Sequence, residues 1–567
     1  MASQLDSQLA AIIARITAPG APFETAMFER DGLRLPVFVN APATLGDLFA
    51  HFCAQHGEAE FLIDGDVRLT FGETLHLARR TAGGLAARHG VRAGSRVGIA
   101  ARNSANWIIA FMGVVMAGGI ATLLNGWCTG AELAECIAMA ECDLVLADPA
   151  RMERLQGEDV PATLIAIGHG APETGLASIL APPGTPAPEP GVGPDDFATI
   201  LFTSGSTGTA KAALSDHRAV VHAALNYAAQ SLMVYTQMGE AGTPVPLRQS
   251  ALVTVPLFHV TGEVAVFLQS FVIGRKLVIM AKWDAIDAMW LIEQEGVTYF
   301  VGVPLMSYEI ATHPERDRFD LSTCRSFAAG GAPRPPEHVA RIREALPHAW
   351  PLLGYGLTET NAVGCGNFNE NHQAKPDSTG PASKPLVELA VFGTDGAALP
   401  AGEVGEIAIR SICNFRGYHG NPEATAAAIR PDGFVLTGDL GRIDTDGYLF
   451  VVDRKKDIII RGGENIACVE VEQAIYAHPA VAEVSVFGLP DPHYGEVPVA
   501  VWHAKNGHEL GEEALRAHVA GRIAAYKVPV RIWREETPLP RLGTEKIDKR
   551  ALKARYSQGW EAVKGRP

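Results

Sequence analysis

Residues 197–211 read FATILFTSGSTGTAK. The apolar opening, 197–202, predicts a buried strand. A polar run follows, Thr203, Ser204, Gly205, Ser206, Thr207 and Gly208, and Lys211 closes it. Glycines let backbone N–H groups approach an anion, hydroxyls add donors, and lysine supplies a compact positive charge. The stretch therefore reads as a phosphate cradle. Ser215 and Asp216 are placed to start the next helix. The pattern argues against a Walker loop. Counted from Gly205, GxxxxGK[ST] puts Ala210 where glycine is required and Ala212 after Lys211.

Working outward, strand-like and helix-like patterns alternate. Short apolar runs at 96–100, 143–147 and 163–167 predict strands, and 75–88 and 131–140 predict helices. Such alternation is the pattern of α/β layers. The uncharged stretch 105–131 is broken by Gly118 and Gly119, so it reads as a buried helix over 107–117 and a strand over 120–124 rather than a membrane span. Residues 181–194, rich in proline and glycine, read as an irregular connection. After Asp453 the texture changes at a basic run, Arg454-Lys455-Lys456, and the remaining residues suffice for a small α+β domain.

The chain has 567 residues, long enough for roughly four domain-sized units. Lys and Arg number 48 against 63 Asp and Glu, a net charge of −15. That argues against a nucleic-acid groove or an anionic-membrane surface covering a domain, but not against a local phosphate pocket. The eight cysteines form no CxxC and no zinc spacing, so packed, reduced thiols and a cytoplasmic location are expected. The first sixteen residues carry Asp6 and no basic n-region, which does not read as a signal peptide.

The segment TSGSTGTAK resembles the phosphate loop TSG[ST]TGxPK of the adenylate-forming superfamily of acyl-CoA synthetases, luciferases and adenylation domains, with Ala210 in place of proline. Further motifs fall in that family's order. Gly354, Tyr355, Gly356, Leu357, Thr358 and Glu359 resemble YGxTE; Thr437-Gly438-Asp439 resembles TGD; residues 461–466, RGGENI, resemble the loop beside the pantetheine arm. The family's Tyr-Pro after that loop is Ala467-Cys468 here. Residues 540–549, PRLGTEKIDK, resemble the segment that carries the catalytic lysine, with Glu545 in place of glycine before Lys546. PLFH at 256–259, GGAP at 330–333, YHGNPEAT at 418–425 and YKVP at 526–529 also match.

The resemblance implies an AMP-forming acyl-CoA synthetase, most similar to fatty-acid CoA ligases. Its fold would be α/β: a large multi-layered N-terminal domain, 1–453, with sheets flanked by helices, and a small mobile α+β domain, 454–567. ATP and Mg2+ would be used with a carboxylic acid and CoA as substrates. ATP or AMP would bind at Thr203 to Gly208, Lys211, Gly331, Ala332, Gly354, Tyr355, Gly356, Thr358, Asp439 on the ribose diol, and Arg454. Thr203 and Glu359 would place the metal; Lys546, Glu359 and His259, at the acyl tunnel, would form the catalytic set. Gly462, Gly463, Glu464 and Asn465 would meet CoA after the small domain turns about the hinge at Lys456. The partners would be small molecules, with no nucleic acid and no integral membrane association, and the protein a monomer or homodimer.

The stretches VPLFHVTGEVAVFL, FVGVPLM and SFAAGGAP are mostly apolar and small, which suits an apolar acyl tunnel and a medium- or long-chain fatty acid. Aryl and cyclic acids fit as alternatives, as does an acyl-AMP ligase that loads a carrier protein. Glu263 interrupts the first stretch. It faces solvent, pairs with a base, or meets a polar group on the substrate.

Overall fold

The computed structural model describes residues 3–203, 210–242, 248–330, 336–505, 508, 510–542 and 546–560. The chain divides into two compact units. One comprises Met1–Pro333, Val339–Leu389 and Ala408–Leu436; the other comprises Arg334–His338, Ala390–Ile407 and Thr437–Pro567.

The first unit is built on two large sheets. In the seven-stranded sheet the spatial order is Gly417–Tyr418, Lys211–Asp216, Phe197–Thr203, Ile120–Leu123, Arg96–Ala100, Leu144–Ala147, Thr163–Ala166. The last five run parallel, and the first two add on antiparallel at the edge. Arg96–Ala100, Ile120–Leu123 and Leu144–Ala147 are almost wholly buried, which is why they read as unbroken apolar runs rather than alternating ones. The eight-stranded sheet likewise has a parallel centre, Glu60–Asp64 to Trp350–Tyr355, with antiparallel strands at both edges.

Local signals set the flanking helices. Thr70 and Glu73 form a capping box that starts Phe71–His89, and Gly90 ends it at φ 69°. Ala105–Met116 starts on Ser104 and buries nearly every residue. Its Trp107 and Phe111 stack at 5.6 Å, and Phe111 meets Phe267 edge-on at 5.4 Å. Among the described residues no helix is long and apolar enough to cross a membrane.

The chain after Phe197–Thr203 departs from the expected strand-to-helix order. After the loop the chain returns as the strand Lys211–Asp216, antiparallel to Phe197–Thr203. Only then does the helix His217–Glu240 begin, with Asp216 as its cap: the Ala219 N–H donates to Asp216 Oδ1 at 2.8 Å. The Asp216 carboxylate is fully buried and pairs with Arg30, and Arg416 lies 3.7 Å from it. The cap and the loop's second strand are thus pinned by buried charge.

The second unit carries most of a four-stranded sheet, Glu388–Phe392, Gly405–Arg410, Val435–Ile443 and Leu449–Arg454, and a five-stranded sheet around Val481–Asp491 and Gly495–Ala504. Helices Cys468–Tyr476 and Glu512–Ala520 cover the latter over a core of Val471, Ile475, Val486, Trp502 and Leu515. All eight cysteines are free thiols, and all but Cys128 are buried. Burial pushes Cys53, Cys136, Cys142, Cys324, Cys365 and Cys413 up to about 12 and Cys128 to about 11, and raises Cys468 as well.

Candidate active site

In the first unit, the hairpin places Thr203 opposite Lys211. The expected Ser204, Gly205, Ser206, Thr207 and Gly208 lie outside the described residues, as do Gly331, Ala332 and Glu545. The edge strand Gly417–Tyr418 pairs with the hairpin through Ala213 and Tyr418. Lys211 Nζ sits 4.8 Å from the Tyr418 ring centre, and Tyr418 Oη donates to Glu359 Oε1 at 2.6 Å. Thr203, Lys211, Tyr418 and Glu359 therefore form one connected row. Sequence reasoning assigns Tyr418 no role; its place in YHGNPEAT is the only signal. Burial, then the Glu359 charge, raises its phenol well above the usual tyrosine range.

Glu359 is carried by the short turn Thr358–Thr360, directly after the strand Trp350–Tyr355. The backbone there folds back tightly. A Cβ on Gly356 would lie 2.1 Å from the Ala362 carbonyl oxygen, so only glycine fits. Asn361 locks the turn by donating to Ser215 Oγ at 3.1 Å and to the Cys413 carbonyl at 2.8 Å. Gly330 lies alongside: a Cβ on it would be 3.9 Å from both Gly354 O and Thr261 Cγ2. Gly330, Gly354 and Thr261 thus lie together.

His259 is half-buried and heads the π-helix Thr261–Leu268. Its Nδ1 accepts from the Thr261 N–H at 3.3 Å, and its carbonyl accepts from the Glu263 N–H at 2.9 Å. Glu263 neither faces solvent nor pairs with a base. It is 0% exposed, and neither carboxyl oxygen has a hydrogen-bond partner among the described residues. Burial pushes its carboxyl up to about 8.

In the second unit, Asp439 and Arg454 face each other across neighbouring strands, with Arg454 Nε 2.7 Å from Asp439 Oδ1. Asp439 is buried and Arg454 exposed. Lys546 is half-buried beside them. Burial and then the Arg454 charge lower its ammonium to about 8, against the opposing pull of Asp439. Its carbonyl accepts from the Leu542 N–H at 2.7 Å. Lys456 is exposed in the turn between Leu449–Arg454 and Ile459–Arg461. Gly462 and Gly463 make the two-residue turn of the hairpin Ile459–Arg461/Glu464–Ile466, both with positive φ, 59° and 91°. Glu464 and Asn465 are exposed beside it.

The sequence profile of the AMP-binding enzyme family matches residues 49–419, and that of the AMP-binding enzyme C-terminal domain matches 470–546. The chain belongs to the AMP-binding enzyme family. Among relatives of this AMP-binding enzyme, a feruloyl-CoA synthase from Amycolatopsis sp is 33% identical over 493 residues, covering 87% of this chain and 95% of that protein. The long-chain-fatty-acid–CoA ligase FadD13 of Mycobacterium tuberculosis (strain ATCC 25618 / H37Rv) is 32% identical over 502 residues, covering 87% and 94%. The crystal structure of ATP-bound MatB from Rhodopseudomonas palustris matches with a TM-score of 0.79 at 28% identity, over 91% of this chain and 100% of that one. This AMP-binding enzyme is an AMP-forming acid–thiol ligase of the acyl-CoA synthetase group, and ATP is its nucleotide substrate.

Proposed function

We propose that the enzyme activates a ring-bearing carboxylic acid, of aryl or cyclic type, as its acyl-AMP and transfers the acyl group to CoA. The connected row Thr203, Lys211, Tyr418 and Glu359 carries the adenylation half of this reading. It aligns a hydroxyl, a cation and an oriented carboxylate beside the hairpin loop. Thr203, the 204–208 backbone and Lys211 hold the phosphates that leave as pyrophosphate. The Thr203 hydroxyl and Glu359 carboxylate are hard oxygen donors of the kind Mg2+ takes, and the Tyr418 bond fixes the carboxylate's direction. Mg2+ held there would supply positive charge against the phosphates. Asp439, an acceptor-only carboxylate, takes the ribose diol and Arg454 the ribose and phosphate side. Gly354, Tyr355, Gly356 and Thr358 line the nucleotide.

The acid's carboxylate attacks the α-phosphorus, and the bond to the β-phosphate oxygen breaks. Lys546 stabilises the charge shared by attacking carboxylate and α-phosphate. The thiol of CoA then attacks the acyl carbon, releasing AMP, with Gly462, Gly463, Glu464 and Asn465 on the pantetheine side. The turn at Lys456 is the proposed hinge, and 454–567 the part it moves. The two half-reactions thus draw on different segments.

For the acid, the apolar stretches accept an alkyl chain or a ring alike. The feruloyl-CoA synthase relative, named for an aryl acyl group, favours the ring; FadD13, named for long-chain fatty acids, supports the alkyl reading at slightly lower identity. The test is a panel of benzoate, cinnamates, ring-bearing propanoates and alkanoates of graded length. AMP, pyrophosphate and acyl-CoA are followed with and without CoA. Thioester formed fastest from a ring-bearing acid is expected. Thioester from alkanoates alone overturns the ring reading, and bound acyl-AMP without thioester overturns the CoA step.

A further inference from the structure

Glu263 is anomalous on three counts. Among the described residues it is the carboxylate whose two oxygens are both buried and without a hydrogen-bond partner. Burying such a group unpaired is costly. The other deeply buried acids of this unit are satisfied: Asp148 by Arg151 at 2.9 Å and by the Arg102 N–H at 3.1 Å, and Asp216 by Arg30 and the Ala219 N–H. Glu263 also stands in a π-helix, a rare turn that concentrates at functional sites.

Its position adds the third count. The helix start is pinned to the PLFH segment, because a Cβ on Gly262 would lie 2.2 Å from the Pro256 carbonyl oxygen. Thr261, two residues earlier, borders Gly330 and through it Gly354. One helical turn later, Phe267 packs against Trp107 at 6.3 Å and Phe111 at 5.4 Å. A lone carboxyl is therefore fully buried on a helix that also carries Phe267 and begins at the segment assigned to the acid. Among the described residues the chain supplies nothing for it to bond.

We infer that Glu263 is a specificity-determining residue whose carboxyl hydrogen-bonds one polar oxygen, hydroxyl or oxo, carried by the substrate acid at a distance from its reacting carboxylate. This rests on the reading of the reaction given above. Burial raises the carboxyl so that it keeps its proton at neutral pH. In that form it donates one hydrogen bond and accepts others, which suits a hydroxyl and an oxo oxygen alike. A substrate ammonium would instead demand the ionised form. A site built to bond such an oxygen rejects the analogue that lacks it, because its own buried group is then left unpaired.

The test compares wild type with Glu263→Leu and Glu263→Gln on three matched pairs: cinnamate with para-hydroxycinnamate, cyclohexylpropanoate with its ring-oxo derivative, and decanoate with its ω-hydroxy derivative. In each pair the kcat/KM ratio of oxygenated to plain acid is read. Wild type is expected to favour the oxygenated member of at least one pair by about tenfold or more. Glu263→Leu is expected to flatten or invert that ratio with the plain acid still used, while Glu263→Gln, which also donates and accepts, keeps most of it. The hydroxy and oxo pairs tell which oxygen is read. Thermal unfolding of each variant confirms a folded protein. An active Glu263→Leu enzyme with the wild-type ratio in every pair overturns the inference, as does a wild type that prefers the plain acid throughout. A wild type that turns over only the decanoate pair overturns the ring reading, and the ratio in that pair still decides Glu263. No thioester from any acid, with ATP bound, overturns the reaction itself.

Discussion

Tyr418 Oη lies 2.6 Å from Glu359 Oε1, and the same ring lies under Lys211 Nζ at 4.8 Å. One side chain thus orients the carboxylate proposed for the metal and faces the lysine proposed for phosphate. Tyr418→Phe keeps the ring and removes the donor. Partners that orient a metal ligand are commonly worth about 10–100-fold. Acid-dependent ATP–pyrophosphate exchange is expected to fall by about tenfold, with half-saturation by Mg2+ moved to higher concentration. Wild-type exchange and Mg2+ dependence in this variant would remove the orienting role.

Lys546→Ala is expected to lower adenylation by about 100-fold or more, on the scale of losing one preorganised charge stabiliser. Thioester formation from supplied acyl-AMP should survive. Equal loss of both half-reactions would sink the assignment. The wild-type pH profile gives a second reading. Burial and Arg454 lower the ammonium to about 8, and the charged form is the useful one. The kcat/KM for adenylation, which reports the free enzyme, should fall as pH rises through about 8. Lys546→Arg stays charged and should lack that falling limb.

Gly463 turns at φ 91°, where a side chain is strained by about 1–3 kcal/mol. Gly463→Ala should slow the thioester step several-fold or more and leave pyrophosphate exchange at wild-type rate. A variant that loses exchange instead would place the hairpin in the first half-reaction.

Glu263 links stability to pH. Its folded carboxyl is raised to about 8 from an ordinary 4.5, so the folded state holds the proton more tightly. The stability this contributes is complete below the unfolded value and is lost as pH rises to the folded one. Glu263→Gln carries no such proton. In urea unfolding, its stability relative to wild type should climb between pH 5 and 8, by at most about 1.4 kcal/mol per pH unit, and level off above. Parallel curves across that range would mean that the carboxyl is not held protonated in the fold.

Much of the sheet framework is legible in the residues themselves. The strand expected over 96–100 is Arg96–Ala100, and the helix expected over 107–117 is Ala105–Met116, because continuous apolar runs leave few alternatives inside a parallel sheet. Asp216 is recognisable as a helix start from its residue type. The strand Lys211–Asp216 is not. Its small, mixed side chains carry no period, and it is a strand because it pairs with Phe197–Thr203. Glu263 is visible as an interruption, but whether a carboxylate is solvated or buried depends on neighbours distant in the chain. The Tyr418–Glu359 bond joins residues 59 apart and is a product of packing alone.

The buried thiols of Cys53, Cys136, Cys142, Cys324, Cys365, Cys413 and Cys468, with the partly covered Cys128, bear on chemoselectivity. An acyl-AMP is a mixed anhydride that any nearby thiolate can intercept, and the thiolate is the reactive form. With every internal thiol raised and nearly all shut away, the protein keeps its own sulfur protonated at neutral pH. A catalyst that manufactures an acylating agent is thereby protected from self-acylation at sulfur. The sulfur of CoA meets no internal competitor.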